Sequence, residues 1–313
     1  MDYLLLIGGL AILIAGGEVL VRGAVGIALK FNLSPLVIGM TIVSFGTSAP
    51  ELLVSLKAAL EGHPEIAIGN IVGSNIANIT LVLGITAMIL PIPVKKNTLK
   101  IDWPIMMGVS VLFYLFILNG VLNTWEGAIF VILLIFFVIY QLKSSKTNEV
   151  NNEDEVIAEL KNKNSNVYFH LLLIVVGIVA LSFGAEWLLT GAVNIAQDFG
   201  VSEHIISVTI IAFGTSVPEL ATSVIAAFKK QMDISVGNLI GSNIFNLLSV
   251  LGFTSLIKEI PISQGVILND IFWVLGASFL LLPFMLNYNI SRWKGAVLTL
   301  FYLAYVFFLL GEI

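Results

Sequence analysis

Gly46-Thr47-Ser48-Ala49-Pro50-Glu51 places a proline and an ionisable carboxylate inside a strongly apolar run. The same pattern returns 168 residues later as Gly214-Thr215-Ser216-Val217-Pro218-Glu219. A second motif follows each copy at that same offset. Gly69-Asn70-Ile71-Val72-Gly73-Ser74-Asn75-Ile76-Ala77-Asn78 recurs as Gly237-Asn238-Leu239-Ile240-Gly241-Ser242-Asn243-Ile244-Phe245-Asn246. Whatever the first half of the chain builds, the second half must build again. From Thr41 to Gly84 against Thr209 to Gly252, roughly half the positions are identical without a gap. Two copies at so long a period do not make a solenoid or propeller.

Hydrophobic residues form 58% of the chain and charged residues 11%, whereas soluble domains sit near half and a quarter. The apolar runs, each about 20 residues, are long enough to cross a bilayer as helices. They are continuous rather than alternating, which excludes a β-barrel. The chain has no cysteine, so disulfides, thiolate metal sites and cysteine nucleophiles are absent. A net charge of −5 without Lys/Arg clusters argues against nucleic acid as a partner. Met1-Asp2-Tyr3 has no basic stretch before the first apolar run, which reads as a retained helix.

Ten spans are expected, near Tyr3–Ile27, Pro35–Leu60, Ile66–Leu90, Ile101–Leu118, Trp125–Leu142, Val167–Ala192, His204–Phe228, Ile234–Leu256, Leu268–Leu286 and Lys294–Leu310. Basic residues concentrate in cytoplasmic loops. Alternate loops carry Arg22 and Lys30; Lys95, Lys96 and Lys100; Lys143, Lys146, Lys161 and Lys163; Lys229 and Lys230; Arg292 and Lys294. The others hold only Lys57 and Lys258. Both termini are therefore expected outside the cell, with the loop 143–166 inside. Five spans per half is an odd number, so the second half enters the membrane from the opposite side. The expected fold is an all-α integral membrane protein of ten transmembrane helices in two inverted-topology five-helix repeats, 1–142 and 167–313, joined by the linker 143–166. In such architectures the substrate site lies at the repeat interface near the midplane.

On a helix, Pro50 deprives the Gly46 carbonyl of its i+4 partner, which predicts a kink and a freed acceptor. Thr47, Ser48 and Ser55 fall three or four residues from Glu51, on one face. Ser74 and Asn78 lie one turn apart, after glycines expected to loosen the backbone. The available ligands are carboxylate, amide oxygen, hydroxyl and backbone carbonyl. An all-oxygen set suits hard cations rather than zinc or copper. Two glutamates match one Ca²⁺ in charge and equally suit Na⁺ ions. A charged side chain at a helix centre costs about 3 kcal/mol, so Glu51 and Glu219 mark an ion path. Blander roles stand beside these: Gly-Xaa-Xaa-Xaa-Gly serves close helix packing, and each Ser or Thr is equally open to bonding its own preceding turn.

Gly-Thr-Ser-Xaa-Pro-Glu followed by Gly-Asn-Xaa-Xaa-Gly-Ser-Asn-Ile, twice, resembles the two α-repeats of the sodium/calcium exchanger family of cation/calcium antiporters, in a compact prokaryotic form. The resemblance covers essentially the whole chain. It implies a core of the second, third, seventh and eighth helices around the ions, with the first and sixth as a sliding pair. It implies the ligands Thr47, Ser48, Glu51, Ser74 and Asn78, then Thr215, Ser216, Glu219, Ser242 and Asn246, with the backbone carbonyls of Ser44 and Ala212. One Ca²⁺ and several Na⁺ would compete for overlapping places. Some relatives carry Asp where this chain has Asn246, so the site here holds one formal negative charge fewer. The motif form resembles the sodium-coupled branch.

The function expected is therefore an antiporter, not an enzyme, that exchanges Na⁺ for Ca²⁺ across the cell membrane by alternating access and extrudes Ca²⁺. Its partners are Ca²⁺ and Na⁺ as substrates and the lipid bilayer, with no cofactor. Ca²⁺/H⁺ or K⁺-dependent antiport is the alternative within the class, and a cation channel is the alternative outside it. An intramembrane hydrolase is disfavoured because no His or Lys falls at helical spacing from Ser48 or Ser216. The acidic loop 148–163 lacks EF-hand spacing and is too short for a regulatory calcium-binding domain. Glu18 and Glu186 share the 168-residue offset, and Arg22 follows Glu18 at the favourable i,i+4 spacing. Glu18 thus reads as an ordinary paired charge. His63, His170 and His204 read as interfacial histidines, and the tryptophans near span ends as an aromatic belt.

Overall fold

A computed structural model describes residues 1–144, 166–200 and 212–311. The structure is almost entirely helical: α1 Asp2–Phe31, α2 Pro35–Thr47, α3 Ala49–Glu61, α4 Pro64–Ile89, α5 Thr98–Ile117, α6 Thr124–Ser144, α7 Val167–Asp198, α8 Val217–Phe228, α9 Met232–Ile257, α10 Val266–Met285 and α11 Arg292–Gly311. Eight of these are long and apolar enough to cross a membrane, or nine with the broken pair α2–α3 as one span. Together they make an all-α, multi-span membrane protein. The expected seventh span is described only from Ala212 onward, and His204 and most of the loop 143–166 lie outside the described residues.

Several boundaries differ from the sequence expectation. Helix α1 runs on to Phe31, closed by Asn32 in a left-handed conformation (φ 51°) whose N–H reaches Ala28 and Leu29. Arg22 and Lys30, expected in a loop, therefore belong to α1. Helix α7 continues six residues past the expected Ala192, to Asp198.

The 168-residue period is also written into the backbone. Ser48 interrupts one span at φ −85°, ψ 4°, and Ser216 another at φ −85°, ψ 2°. In each case the proline two residues on cannot donate, and the helix restarts with the serine carbonyl as its acceptor, from Leu52 N (3.2 Å) and Leu220 N (3.1 Å). π-helical turns begin at Asn78 and Asn246, and again at Thr98 and Val266. Such widened turns concentrate at functional sites. Gly69 and Gly73 do not loosen α4 as expected: the helix stays regular from Pro64 to Ala77 and widens only at Asn78.

The chain divides into two compact units, each drawing on both halves of the sequence. The first comprises 1–47, 141–238 and 303–313. Its centre is the antiparallel pair α1 and α7, with Leu13, Leu20, Val21, Ile174 and Leu181 buried between them and their neighbours. Gly9, Gly16 and Gly23 on α1 meet α7, and Gly177, Gly184 and Gly191 on α7 meet α1, each series at seven-residue spacing. A Cβ on Gly177 would lie 2.7 Å from the Leu20 amide nitrogen, and one on Gly16 would lie 3.0 Å from that of Leu181. Lipid is as apolar as leucine, so close backbone packing between small residues, rather than apolar burial, favours such a pair. The outer faces carry exposed Ile7, Leu10 and Ile14 on α1, with Leu172, Val176 and Phe183 on α7. These are lipid-facing surfaces.

Glu18 on α1 accepts from Arg22 Nε (2.7 Å), as expected, and also from Lys229 Nζ (2.7 Å) just past α8. His170, in the first turn of α7, is 1% exposed, its ring lies against Gly26 of α1, and neither nitrogen has a hydrogen-bond partner among the described residues.

The second unit comprises 48–140 and 239–302. Two short antiparallel ribbons tie its helix ends: β1 (Ile92–Pro93) with β4 (Asn289–Ile290), and β2 (Val121–Leu122) with β3 (Ile260–Pro261). Each ribbon joins a strand from one half of the sequence to a strand from the other. Phe113, Phe130, Ile71 and Ile76 are fully buried here. Lys294 donates to the carbonyls of Phe284 and Asn289 (both 2.7 Å), capping the end of α10.

Candidate functional site

Buried polar residues in a membrane protein need a partner or a purpose. Here they gather at the two motifs and are best taken unit by unit.

In the first unit, Ser44 and Thr47 on α2 face the first half of α9. The Ser44 hydroxyl lies within donating distance of the carbonyls of Gly39 (2.7 Å) and Asn238 (3.0 Å). The Thr47 hydroxyl donates to Asn238 Oδ1 (3.0 Å) and the Asn238 amide donates to Ser223 Oγ (3.3 Å). Close approach makes this crossing possible: a Cβ on Gly237 would lie 2.5 Å from the Leu36 carbonyl. Glu219 on α8 is 0% exposed, as is Ser216, whose hydroxyl has no hydrogen-bond partner among the described residues. Thr215 is half-buried, and Ala212 opens a single turn, Ala212–Gly214.

In the second unit, Glu51 on α3 is 0% exposed, and Ser48 is buried at the break that precedes it. Asn70 on α4 donates to Ser55 Oγ (3.1 Å) and lies 3.4 Å from the Glu51 carbonyl. Ser55 thus braces α3 against α4 rather than joining the carboxylate as a ligand. Asn70–Ser55 and Asn238–Ser223 are the same brace in the two copies. Ser74, Asn78, Ser242 and Asn246 are all fully buried. Neither amide atom of Asn78 has a hydrogen-bond partner among the described residues, and nor does the carbonyl oxygen of Asn246. Both asparagines stand at the first position of a π-turn, where α-helical register gives way.

Among the described side chains, most of the expected ligands are therefore buried within the protein. Sequence reasoning missed the asparagines that make the buried hydrogen bonds around the motifs: Asn70, Asn238, Asn75 and Asn243. Their signal was present, since all four recur at the 168-residue offset without themselves being candidate ligands. Among the described residues no three His, Asp or Glu side chains converge, so no nitrogen-rich transition-metal centre is formed. The donor chemistry is carboxylate, amide and hydroxyl oxygen, which suits hard cations.

These features define a multi-span membrane protein with a duplicated set of buried oxygen-bearing side chains, as in the class of cation transporters. The chain belongs to the sodium/calcium exchanger family: residues 1–143 and 169–311 match the family model described as "Sodium/calcium exchanger protein". It is 37% identical over 311 residues to the putative antiporter CaxA of Alkalimonas amylolytica, covering 97% of each chain. It is 31% identical over 341 residues to the sodium/calcium exchanger MaX1 of Methanosarcina acetivorans, covering 98% of this chain and 97% of the other. The solved structure of the sodium-calcium exchanger NCX_Mj soaked without Na⁺ and Ca²⁺ superposes with a TM-score of 0.83, at 33% identity over 98% of both chains.

Proposed function

We propose that this chain is a secondary-active antiporter that exchanges Na⁺ for Ca²⁺ by alternating access, using the inward Na⁺ gradient to move Ca²⁺ out of the cell. The ligands are Glu51, Glu219, Asn78 and Asn246, the hydroxyls of Thr47, Ser48, Ser74, Thr215, Ser216 and Ser242, and the carbonyls of Ser44 and Ala212. The fold in this proposal is the ten-span one, with inverted repeats 1–142 and 167–313. The protein lies in the plasma membrane with both termini outside and the linker 143–166 in the cytoplasm.

One observation carries the reading. Two fully buried glutamates recur at the same motif position, and within the repeated motifs Asn78, Asn246 and Ser216 keep buried side-chain oxygens without hydrogen-bond partners among the described residues. A structural carboxylate needs no such duplicated retinue of oxygens, and a dehydrated cation does. Two carboxylates balance one Ca²⁺ or two Na⁺, and shared oxygens forbid both cations at once. That exclusion is what couples the two fluxes. The sodium–calcium exchangers among the relatives support Na⁺ as the coupling ion.

Radiolabelled Ca²⁺ binding to the purified protein tests this. Rising Na⁺ at constant ionic strength, balanced with K⁺, displaces Ca²⁺ along a sigmoidal curve, because more than one Na⁺ replaces each Ca²⁺. Equal displacement by Na⁺ and K⁺ would reduce the effect to screening and contradict the proposal.

A further inference from the structure

Asn75 lies one position after Ser74, outside the proposed ligand set, and is 1% exposed. Its amide nitrogen donates to the backbone carbonyl of Asn243 (3.3 Å), and its Oδ1 accepts from Asn246 Nδ2 (3.0 Å). All three residues belong to the second compact unit. The polarity of this chain is fixed from one end. A backbone carbonyl only accepts, so Asn75 must present nitrogen to it and oxygen to Asn246. Asn246 must then present nitrogen to Asn75, which turns its own oxygen the other way. That oxygen is buried with no hydrogen-bond partner among the described residues.

The repeat supplies an internal control. The counterpart of Asn75 with Asn246 is Asn243 with Asn78. There the Asn243 amide donates instead to Leu239 O in its own helix (2.8 Å), and both Asn78 amide atoms lack partners among the described residues. One amide ligand is oriented and its counterpart is not.

We propose that Asn75 is a positioning residue for cation binding: it holds the Asn246 amide with its oxygen outward as a ligand. The same relay makes position 246 selective for a hydrogen-bond donor, which an amide is and a carboxylate ion is not. This inference rests on the assignment of Asn246 as a ligand.

A double-mutant cycle tests it, read as the Ca²⁺ dissociation constant of the purified protein and as KM and maximal rate of Ca²⁺ uptake in vesicles. Asn246→Ala removes the ligand oxygen and raises KM about tenfold, for an interaction of about 1.4 kcal/mol. Asn75→Ala frees the amide to turn and raises KM roughly three- to tenfold, with maximal rate held within about twofold. Asn75→Ala then adds nothing further in the Asn246→Ala background. Asn75→Ser, which keeps a polar group but loses the bridge, behaves like Asn75→Ala and decides the matter if the alanine variant does not fold. An unchanged KM in both Asn75 variants, or the same factor with and without Asn246, would overturn the positioning role and leave the ligand assignment standing. An unchanged KM in Asn246→Ala would overturn the ligand assignment itself, and the inference with it.

Discussion

Glu51→Gln and Glu219→Gln each abolish Na⁺-driven Ca²⁺ uptake into vesicles, while the protein remains folded. Glutamine keeps the shape of the side chain and one carbonyl oxygen but removes a full negative charge from a position that solvent does not reach. In the proposed site a divalent ion must leave its hydration shell to bind, and fixed charge has to replace that shell. Losing one charge of a buried, interacting set costs about 2–5 kcal/mol, or a factor of about 30 to several thousand in affinity. Glutamine is close in size and shape at a buried position, so no cavity or overlap is introduced and the variants elute and melt like the parent. Uptake and folding thus separate cleanly. Undiminished uptake in either variant, with normal protein yield, would remove that glutamate from the site.

Gly177→Leu prevents α1 and α7 from packing. The glycine sits within the helix pair, where a Cβ would lie 2.7 Å from the Leu20 amide nitrogen and 2.8 Å from its Cα. Both are backbone atoms, so no rotamer change relieves the overlap and the helices must separate. Overpacking of this kind costs about 1–3 kcal/mol or more, a fall in melting temperature on the order of 5 °C, with matching loss of monodisperse protein. Gly108→Leu is the control: a Cβ there meets nothing within 4 Å among the described residues, on an exposed face of α5, and its effect stays within about 0.5 kcal/mol. Equal melting of the two variants would mean that the glycine ladder does not hold the pair together.

The sequence made much of this legible, and the failures have physical causes. Pro50 and Pro218 announce the broken helices because a missing N–H is a covalent fact, independent of tertiary context. The duplicated glutamates stand out because charge in an apolar span is costly. The glycine ladder stands equally in the sequence at seven-residue spacing, but a glycine reveals close packing only once its partner helix is known. Asn70 and Asn75 lie inside the motif among the expected ligands. Spacing along one helix does not reveal which residue faces an ion and which faces a neighbouring carbonyl. The burial of His170 depends on Gly26, a residue of another helix with no local signature. The π-turns at Asn78 and Asn246 leave no mark in propensity, because the widened register is set by packing rather than by residue type.

Reconstituted vesicles loaded with radiolabelled Ca²⁺ and given one imposed gradient at a time address the coupling ion most directly. An opposing Na⁺ gradient drives Ca²⁺ against its own gradient, and neither a K⁺ nor an H⁺ gradient of the same size does so. Ca²⁺ movement driven by H⁺ in the absence of Na⁺, or flux down its gradient indifferent to all three, would contradict sodium/calcium exchange by this chain.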